Sequence, residues 1–412
     1  GTIGSDQTIC SGATPSAFTS SASASGGTGT ISYQWQSSTT STSAGFANVA
    51  SATSTTYAPS ALTQTTYYRR RAVTSGNDTA YTSALTVTVN ATTVGGSVAG
   101  GATVCTGTNS TALTLSGHTG TIVRWQSATN AGFTTGLTNI ASTSGLTSYT
   151  ATNLTATTYY RAVLKSGVCD TAFSSGATVT VDPASVGGSI SGGASVCSGT
   201  NSTALTLSGH TGTIVRWQSA TNAGFTTGLT NIASTNGLTS YTATNLTATT
   251  YYRAVLKSGV CDTAFSSGAT VTVNPLPATP TSGVNGARTG TGTVGISASV
   301  GSGETIDWYA DATGGSVLSG GTGTTSFTTP SISTTTTYYA QARNTTTGCI
   351  SSARLAVIAT INSALSAGTI GSDQTICSGA TPSAFTSSAS ASGGTGTISY
   401  QWQSSTTSTS AG

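Results

Sequence analysis

The residues of this chain whose type and spacing most clearly suggest chemistry are seven cysteines. They occupy two kinds of position, one near the start of a repeating unit and one near its end. The early cysteines are Cys10, Cys105, Cys197 and Cys377, and the late ones are Cys169, Cys261 and Cys349. Cysteines at regular spacing in a secreted chain normally form disulfides. The pattern therefore predicts covalent cross-links.

Residues suited to catalysis or metal binding are sparse and scattered. Catalysis needs clustered acids, bases or nucleophiles, but 412 residues contain only nine acidic side chains and two histidines. His118 and His210 are copies of one position in a Gly-rich turn, with no second ligand beside them, and Glu304, Asp307 and Asp311 are isolated. The sequence predicts solvated turn histidines rather than metal ligands, and no catalytic site, metal or cofactor.

Charge is unusually low for a folded chain. Only 5% of residues are charged and the net charge is +3, whereas about a quarter are charged in an average soluble domain. A charge this dilute makes nucleic acid and acidic membrane surfaces poor partners. No apolar run approaches the length of a membrane helix, and no signal segment opens the chain, so we expect the interior of a longer secreted protein.

Internal repeats set the organisation. The stretch "GTIVRWQSATNAGFTTGLTNIAST" at residues 120–143 recurs unchanged at 212–235, and residues 368–412 copy residues 1–45 letter for letter. Looser copies flank the central pair. The predicted domains are residues 1–90, 91–182, 183–274 and 275–361, with 362–412 as the start of the next copy of domain one. The natural protein is expected to be a longer array.

Each domain has the pattern of β-structure. Short stretches rich in Thr, Val, Tyr and Ile alternate with Gly, Ser and Asn turns, and no apolar pattern has a 3.6-residue period. About seven strands in some 90 residues predict an all-β, immunoglobulin-like sandwich, repeated in tandem as an extended rod. With strands lettered A to G along domain two, strand A precedes Cys105, B spans 111–116, C contains Trp125, F spans 157–165 and G spans 176–181.

One tryptophan per domain falls on strand C, where such sandwiches commonly place a core tryptophan. These residues are Trp35, Trp125, Trp217 and Trp308. Core packing is the favoured interpretation, and stacking against a bound sugar is the alternative.

A pair of adjacent tyrosines marks strand F in every domain. The pairs are Tyr67/Tyr68, Tyr159/Tyr160, Tyr251/Tyr252 and Tyr338/Tyr339. Neighbouring side chains on a strand point to opposite faces, so one ring of each pair is buried and the other faces outward. In domain four Tyr338 shares its face with Ala340 and Ala342, which predicts that Tyr338 is buried. Arg161 and Arg253 leave the choice open in domains two and three.

Several stretches resemble a known family. "YQWQSS" at 33–38, "TSTTYAPSALTQTTYYRRRAV" at 53–73 and "VTVNPLPATPT" at 271–281 are similar to the immunoglobulin-like repeats of giant bacterial surface adhesins that use the type IX secretion route, including gliding-motility adhesins. The resemblance spans all four domains, but its motifs specify the fold and no ligand. It implies an extracellular, cell-surface attached, non-enzymatic repeat protein.

The cysteine pairing has three possible forms. In a sandwich the A–B and F–G turns lie at opposite ends, roughly 30 Å apart, whereas bonded cysteines need Cα atoms within about 7 Å. Head-to-tail stacking brings the A–B end of one domain to the F–G end of the next. The favoured cross-domain pairs are Cys10–Cys169, Cys105–Cys261 and Cys197–Cys349, and Cys377 would pair with a later copy. Pairing within domains, and thiols that are free or bonded between chains, remain alternatives.

The tripeptide "DTA" recurs at 78–80, 170–172 and 262–264. It resembles the Asp-Thr-small signal for O-glycosylation in bacteria related to those with such adhesins. That resemblance makes Thr79, Thr171 and Thr263 candidate glycosylation sites. The alternative is that they are ordinary residues copied with the repeat.

These observations favour a structural function. The expected protein is the shaft of a long extracellular adhesive or tethering fibre, stiffened at its junctions by segments such as "NPLPATP" at 274–280. Its partners would be further copies of the repeat, other chains packed laterally, and glycans bound by a distal element outside this sequence. The alternative is an array of carbohydrate-binding modules, each contacting glycans through an outward tyrosine.

Overall fold

The structure, a computed structural model, describes residues 1–371 and 373–407, and within those ranges every regular element is a β-strand. Accordingly, this described part of the chain contains no helix that could cross a membrane. Four sandwich domains follow one another, and a partial copy of the first domain follows the fourth. The all-β, tandem immunoglobulin-like architecture predicted from the sequence is confirmed.

Domain two shows the common plan. Its strands are β9 (Ser97–Ala99), β10 (Thr103–Cys105), β11 (Ser110–Ser116), β12 (Thr121–Ala128), β13 (Thr138–Ile140), β14 (Ser148–Thr152), β15 (Thr158–Lys165), β16 (Ala172–Phe173) and β17 (Ala177–Asp182). The larger sheet has the order β10-β17-β15-β12-β13, with β16 also paired to β15, and the smaller sheet has the order β14-β11-β9. The predicted strands B, F and G match β11, β15 and β17 to within one residue at each end.

Domain three repeats this plan strand for strand. Its strands are β18 (Ser189–Ser191), β19 (Ser195–Cys197), β20 (Ser202–Ser208), β21 (Thr213–Ala220), β22 (Thr230–Ile232), β23 (Ser240–Thr244), β24 (Thr250–Lys257), β25 (Ala264–Phe265) and β26 (Ala269–Asn274). The sheet orders are β19-β26-β24-β21-β22, with β25 on β24, and β18-β20-β23. This agreement follows from the near-identical sequences of the two domains.

Domain one keeps the larger sheet and reduces the smaller one. Its strands are β1 (Thr2–Ile3), β2 (Gln7–Cys10), β3 (Ser20–Ala22), β4 (Ile31–Ser38), β5 (Ala47–Asn48), β6 (Thr66–Thr74), β7 (Thr79–Tyr81) and β8 (Leu85–Asn90). The larger sheet has the order β2-β8-β6-β4-β5, with β7 on β6, whereas the smaller consists of β1 and β3.

Domain four has two compact sheets. Its strands are β27 (Thr281–Val284), β28 (Gly286–Thr289), β29 (Gly295–Ser299), β30 (Glu304–Tyr309), β31 (Ser326–Thr328), β32 (Thr336–Asn344) and β33 (Leu355–Asn362). The sheet orders are β28-β33-β32-β30 and β27-β29-β31. In the partial copy, β34 (Thr369–Ile370) pairs with β35 (Ser387–Ala389).

The chain passes from the smaller sheet to the larger one near the start of each domain. In domain two the change occurs between β9 and β10, at Gly100, whose φ of 98° is open to glycine without steric cost. Strand β10 then runs parallel to the last strand, β17, with Cys105 opposite Asp182. This parallel pairing puts the early cysteine beside the residue at which the chain leaves the domain.

Side chains of alternating type build each core. On β11 Thr111, Leu113 and Leu115 are buried while the residues between them are exposed, the period-two pattern of a half-buried strand. The four strand-C tryptophans are each 0% exposed. The indole N–H of Trp125 donates to the Leu146 carbonyl oxygen at 2.9 Å, which satisfies the polar atom of this buried ring.

The strand register relative to the tryptophan decides which tyrosine of each pair is buried. Trp125 lies opposite Ala162, two residues after the buried Tyr160. In domain four Trp308 lies opposite Ala340, two residues after the buried Tyr338. The inward ring is thus the second of the pair in domains one to three and the first in domain four, where the prediction for Tyr338 is confirmed.

Domain one places an arginine where the other domains have alanine. Arg70 lies opposite Trp35 and is almost completely buried. Its guanidinium donates to the carbonyl oxygens of Thr55 at 2.8 Å and Ala22 at 3.3 Å and lies 4.4 Å from the centroid of the Tyr33 ring. A buried cation needs such acceptors in place of water. Backbone carbonyls supply them to the two terminal nitrogens, whereas the buried Nε has no hydrogen-bond partner among the described residues.

Candidate functional site: the domain junctions

The first three junctions between domains bring together the six cysteines that the sequence predicts to form disulfides. At the first junction, β2 and β8 run parallel and hold Cys10 opposite Asn90. The turn between β15 and β16 of domain two approaches the same point, and it contains Cys169. The end of one domain therefore meets the F–G turn of the next.

Three disulfides cross these junctions in the structure. They are Cys10–Cys169, Cys105–Cys261 and Cys197–Cys349, with Cα–Cα distances of 5.0, 4.9 and 5.6 Å. These are the cross-domain pairs favoured from the sequence, and neither the within-domain pairs nor the free-thiol alternative for these six residues is present. Each bond closes a loop of more than 150 residues in the unfolded chain, which the loop-entropy model equates with about 5 kcal/mol.

Hydrogen bonds accompany the first disulfide. The backbone N–H of Val168 donates to the Asn90 side chain at 3.2 Å, and that of Ser166 donates to the Thr93 hydroxyl at 3.0 Å. Between them, Gly167 has a φ of 52°, and a Cβ there would meet the Asn90 side chain. Glycine at this position therefore permits both the left-handed backbone and the close approach of the two domains.

The second junction repeats this arrangement with different side chains. Val260 N–H donates to the Asp182 carboxylate at 2.9 Å, and Ser258 N–H donates to the Ser185 hydroxyl at 2.8 Å. Asp182 occupies the position equivalent to that of Asn90, and Gly259 occupies the position equivalent to that of Gly167. The same contact is thus made by two acceptors of similar shape.

The third junction is built differently. Cys349 follows Gly348 in a turn where the Asn344 side chain accepts hydrogen bonds from the N–H groups of Thr346 and Thr347 at 3.0 and 2.9 Å. Among the described residues, no hydrogen bond joins this turn to the end of domain three. The disulfide and the proline-containing segment 274–280 connect these two domains.

The fourth junction contains no cysteine. Thr289 lies opposite Asn362 at the end of β28, the position that Cys10, Cys105 and Cys197 occupy in the other domains. In domain one Asn77, with a φ of 69°, lies in the F–G turn where the other domains have a cysteine. Cys377 in the partial copy is exposed and unpaired.

The other candidate residues do not form a site. The strand-C tryptophans are inaccessible to a sugar. Thr79, Thr171 and Thr263 are exposed at the F–G turns, and their glycosylation stays a prediction. His118 and His210 are partly buried, and the described residues include no group of three or more potential metal ligands.

Burial dominates the electrostatics of the cores. It raises the pKa of Tyr68, Tyr160 and Tyr252 to about 12, and a neighbouring tyrosine adds to the shift in each case. Across the described residues the single ion pair joins Arg343 and Asp307 in domain four, with N–O distances of 2.8 and 3.2 Å. The arginines of domains one to three therefore lack carboxylate partners.

Sequence reasoning missed one set of surface residues. On the outer face of the larger sheet, Arg161 lies between the rings of Phe133 and Phe173. The signal was present in the sequence, since Arg161 shares a face with the outward Tyr159. Its two aromatic neighbours lie in the loop between β12 and β13 and on β16, so spacing alone could not identify them.

Comparisons with known proteins follow the same domain pattern. The family model described as "Domain of unknown function (DUF8696)" matches residues 1–91, 94–183, 186–275 and 366–411. The model described as "Ig-like domain CHU_C associated" matches residues 277–362. Neither describes an enzyme, and no curated protein matches the chain.

Several solved structures of tandem-domain proteins are similar to this chain. The FN1–FN3 domains of chicken CNTN1 share 14% identity, with 64% of this chain and 98% of that chain covered and a TM-score of 0.25. The I-band fragment I67–I69 from titin shares 11% identity, with 65% of this chain and 96% of that chain covered and a TM-score of 0.36. The N-terminal eight Ig domains of Down Syndrome Cell Adhesion Molecule share 13% identity, with 89% of this chain and 54% of that chain covered and a TM-score of 0.27.

Proposed function

Because this chain belongs to the DUF8696 family and contains one CHU_C-associated immunoglobulin-like domain, we propose that it is the shaft of a long extracellular fibre. The fibre attaches to the cell surface and holds an adhesive or tethering element away from it. The chain itself is not catalytic. Its partners are further copies of the same repeat in the chain, other chains packed laterally, and glycans contacted at the distal element.

The observation that supports this proposal most strongly is the set of disulfides across the first three junctions. A disulfide within a domain would protect only that domain, whereas these bonds join each domain to its neighbour. Tension that enters at Cys10 passes to Cys169, follows the backbone to Cys197 and passes to Cys349. Most of each domain therefore lies outside the path of the force.

The composition and the disulfides of the chain are consistent with an extracellular location. Disulfides persist in oxidising compartments and are rare where thiols are kept reduced. With 5% charged residues, the surface is hydrated by Ser, Thr, Asn and Gly. The resemblance to type IX-secreted adhesins supports the same location and the same role.

Electron microscopy of the intact, unreduced protein tests the proposal. If domains of roughly 40–45 Å stack end to end, rods should show about 160–180 Å per four-domain unit, and antibodies to domain three should label filaments outside the cell. The control is the same protein treated with a reductant, in which the first three junctions should bend more. Compact particles, or label confined to the cell interior, would contradict the proposal.

A further inference from the structure

The outer face of the larger sheet in domain two holds an arginine between two aromatic rings. The guanidinium carbon of Arg161 lies 4.3 Å from the centroid of the Phe133 ring and 3.9 Å from that of Phe173. Its Nε donates to the Gln126 side-chain oxygen at 2.9 Å. Cation–π contact on both faces and a hydrogen bond on one edge fix the plane of the guanidinium.

The surrounding residues hold this arrangement in place. Phe133 has a φ of 52°, an uncommon value that a non-glycine residue keeps only when its surroundings impose it. The Asn130 side chain stabilises the turn by accepting hydrogen bonds from the N–H groups of Thr134 and Thr135 at 3.0 Å. A Cβ at Gly176 would lie 3.2 Å from the Phe133 ring, so glycine leaves room for the ring.

Three domains contain the same arrangement, which we call the arginine sandwich. In domain three Arg253 lies 4.4 and 4.0 Å from the ring centroids of Phe225 and Phe265. In domain one, despite its looser sequence similarity, Arg69 lies 4.1 and 4.2 Å from those of Phe46 and Tyr81. The Nε atom of each arginine again donates to a glutamine, at 2.8 Å.

One ring of each sandwich is available to a ligand. The exposed fractions are 51% for Phe173, 49% for Phe265 and 50% for Tyr81. A single exposed ring on a protein surface needs no explanation. Here, however, the ring recurs beside an equivalent arginine in domain one, whose sequence has otherwise diverged, which indicates a repeated surface feature.

The terminal nitrogens of these arginines make no hydrogen bond within the described ranges. In Arg69, Arg161 and Arg253 alike, the Nε atom is the one that donates. Burial lowers the pKa of Arg161 and Arg253, which indicates that the rings remove part of their hydration. The free edge of each guanidinium therefore presents a fixed pair of donors.

Domain four provides an internal contrast. Arg354 lies 3.3 Å from the centroid of the Tyr309 ring, and its Nε donates to Gln341 at 3.1 Å. Its terminal nitrogen, however, donates to the carbonyl oxygens of Asp311 and Gly314 at 2.7 and 2.8 Å. One of its two terminal nitrogens is therefore already bonded within the domain, so domain four lacks the pair of free terminal donors that the other three domains present.

The chemistry of the sandwich selects its ligand. A planar guanidinium edge binds a carboxylate through two parallel hydrogen bonds, and an exposed aromatic ring packs against an apolar surface. A uronic acid offers both on one sugar ring, since its carbon-bound hydrogens form an apolar face beside the carboxylate. We propose that the arginine sandwiches of domains one to three are binding sites for an acidic, uronate-containing polysaccharide.

Repetition explains how such shallow sites could bind usefully. A linear polymer with many carboxylates can occupy several sandwiches of one chain at once. After the first contact, the others become intramolecular, and overall affinity exceeds that of any single site. The low net charge of +3 implies that binding depends on the local geometry of the sandwiches rather than on general attraction.

Titration calorimetry of the whole oxidised protein with a galacturonate decamer tests the proposal. The fully methyl-esterified decamer, which lacks the carboxylates, should bind at least tenfold more weakly. The triple variant R69K/R161K/R253K keeps the charge but loses the planar fork, and it should also bind at least tenfold more weakly. The matched control K165A/K257A removes two exposed charges from the same strands and should change affinity less than twofold.

Each remaining outcome would overturn the proposal. These outcomes are no binding of the decamer at millimolar concentration, equal binding of its methyl ester, and a loss of affinity in the lysine triple variant no larger than that in the K165A/K257A control. A glutamate decamer that binds as tightly as the uronate would indicate an acidic peptide partner instead. The comparison of acid and ester uses the unaltered protein, so it stands even if the triple variant fails to fold. The shaft proposal is independent of all these results.

Discussion

The length of the fully stretched chain should depend on which cross-domain disulfide is removed. In the oxidised protein the shortest covalent route from Cys10 to Cys349 uses two disulfides and the backbone from Cys169 to Cys197. At the extended length per residue, this backbone segment spans about 100 Å. The rest of the chain between Cys10 and Cys349 lies outside the route, because the first and third disulfides bypass it.

Removal of the first disulfide, in the variant C10A/C169A, lengthens the route. It then follows the backbone from Cys10 to Cys105, crosses to Cys261, follows the backbone in reverse to Cys197 and crosses to Cys349. The two backbone segments replace the single short one. At the extended length per residue, the stretched chain gains about 460 Å.

Removal of the third disulfide should give a similar gain, and removal of the second should give none. In C197A/C349A the route uses the backbone from Cys169 in reverse to Cys105 and then from Cys261 to Cys349, which adds about 430 Å at the extended length per residue. In C105A/C261A the route is unchanged, because the second disulfide is not part of it. This variant is the matched control, since it also loses one bond and two cysteines.

Single-molecule force spectroscopy of the full chain measures these lengths. The protein is attached by peptide tags at its two ends, and every form contains Cys377→Ser to prevent cross-linked pairs. Pairing within domains would leave three backbone segments in the route of the unaltered protein, from Cys10 to Cys349, with a combined length of about 740 Å. A stretched length near that value, or lengthening of C105A/C261A equal to that of C10A/C169A, would refute the pairing.

Two further predictions concern the cores. Trp125→Ala should lower the free energy of unfolding by about 3–5 kcal/mol because the indole is fully buried, whereas the half-exposed Phe173→Ala should cost about 1 kcal/mol or less; equal losses in urea denaturation would contradict this. Tyr68, Tyr160 and Tyr252 have a pKa of about 12 when folded and about 10 when unfolded. The unfolded state therefore loses these protons first, so stability that is complete below pH 10 should fall as the pH rises to 12. The melting temperature and the 295 nm absorbance should both follow this range, and a melting temperature constant to pH 12 would contradict the assignment.

The sequence by itself determined the repeats, the strand types and the two cysteine positions. Period-two alternation on strands such as β11 and the recurring strand-C tryptophan are local signals, so the sandwich and its core could be predicted without coordinates. The cross-domain pairing could be favoured because sandwich geometry separates the two turns. It could not be fixed, because the distance from Cys10 to Cys169 depends on how two domains meet.

Only the tertiary structure decided which residues come together across the chain. The arginine sandwich in domain two joins Arg161 on β15, Phe173 on β16 and Phe133 in the loop between β12 and β13. Their contact depends on the pairing of β15 with β12 and β16, a non-local arrangement that no short stretch encodes.

Identical stretches of sequence can also differ in burial, because burial depends on strands elsewhere in the chain. Trp35 and Trp402 occupy the same position in two letter-for-letter copies, yet Trp35 is 0% and Trp402 is 57% exposed. In domain one β4, which contains Trp35, pairs with β6, and β8 pairs with β6 in turn. Within the described residues, Trp402 lies in no β-strand. Burial of the tryptophan is thus a property of the complete β-sandwich domain, because the strands that exclude water from it lie elsewhere in the chain.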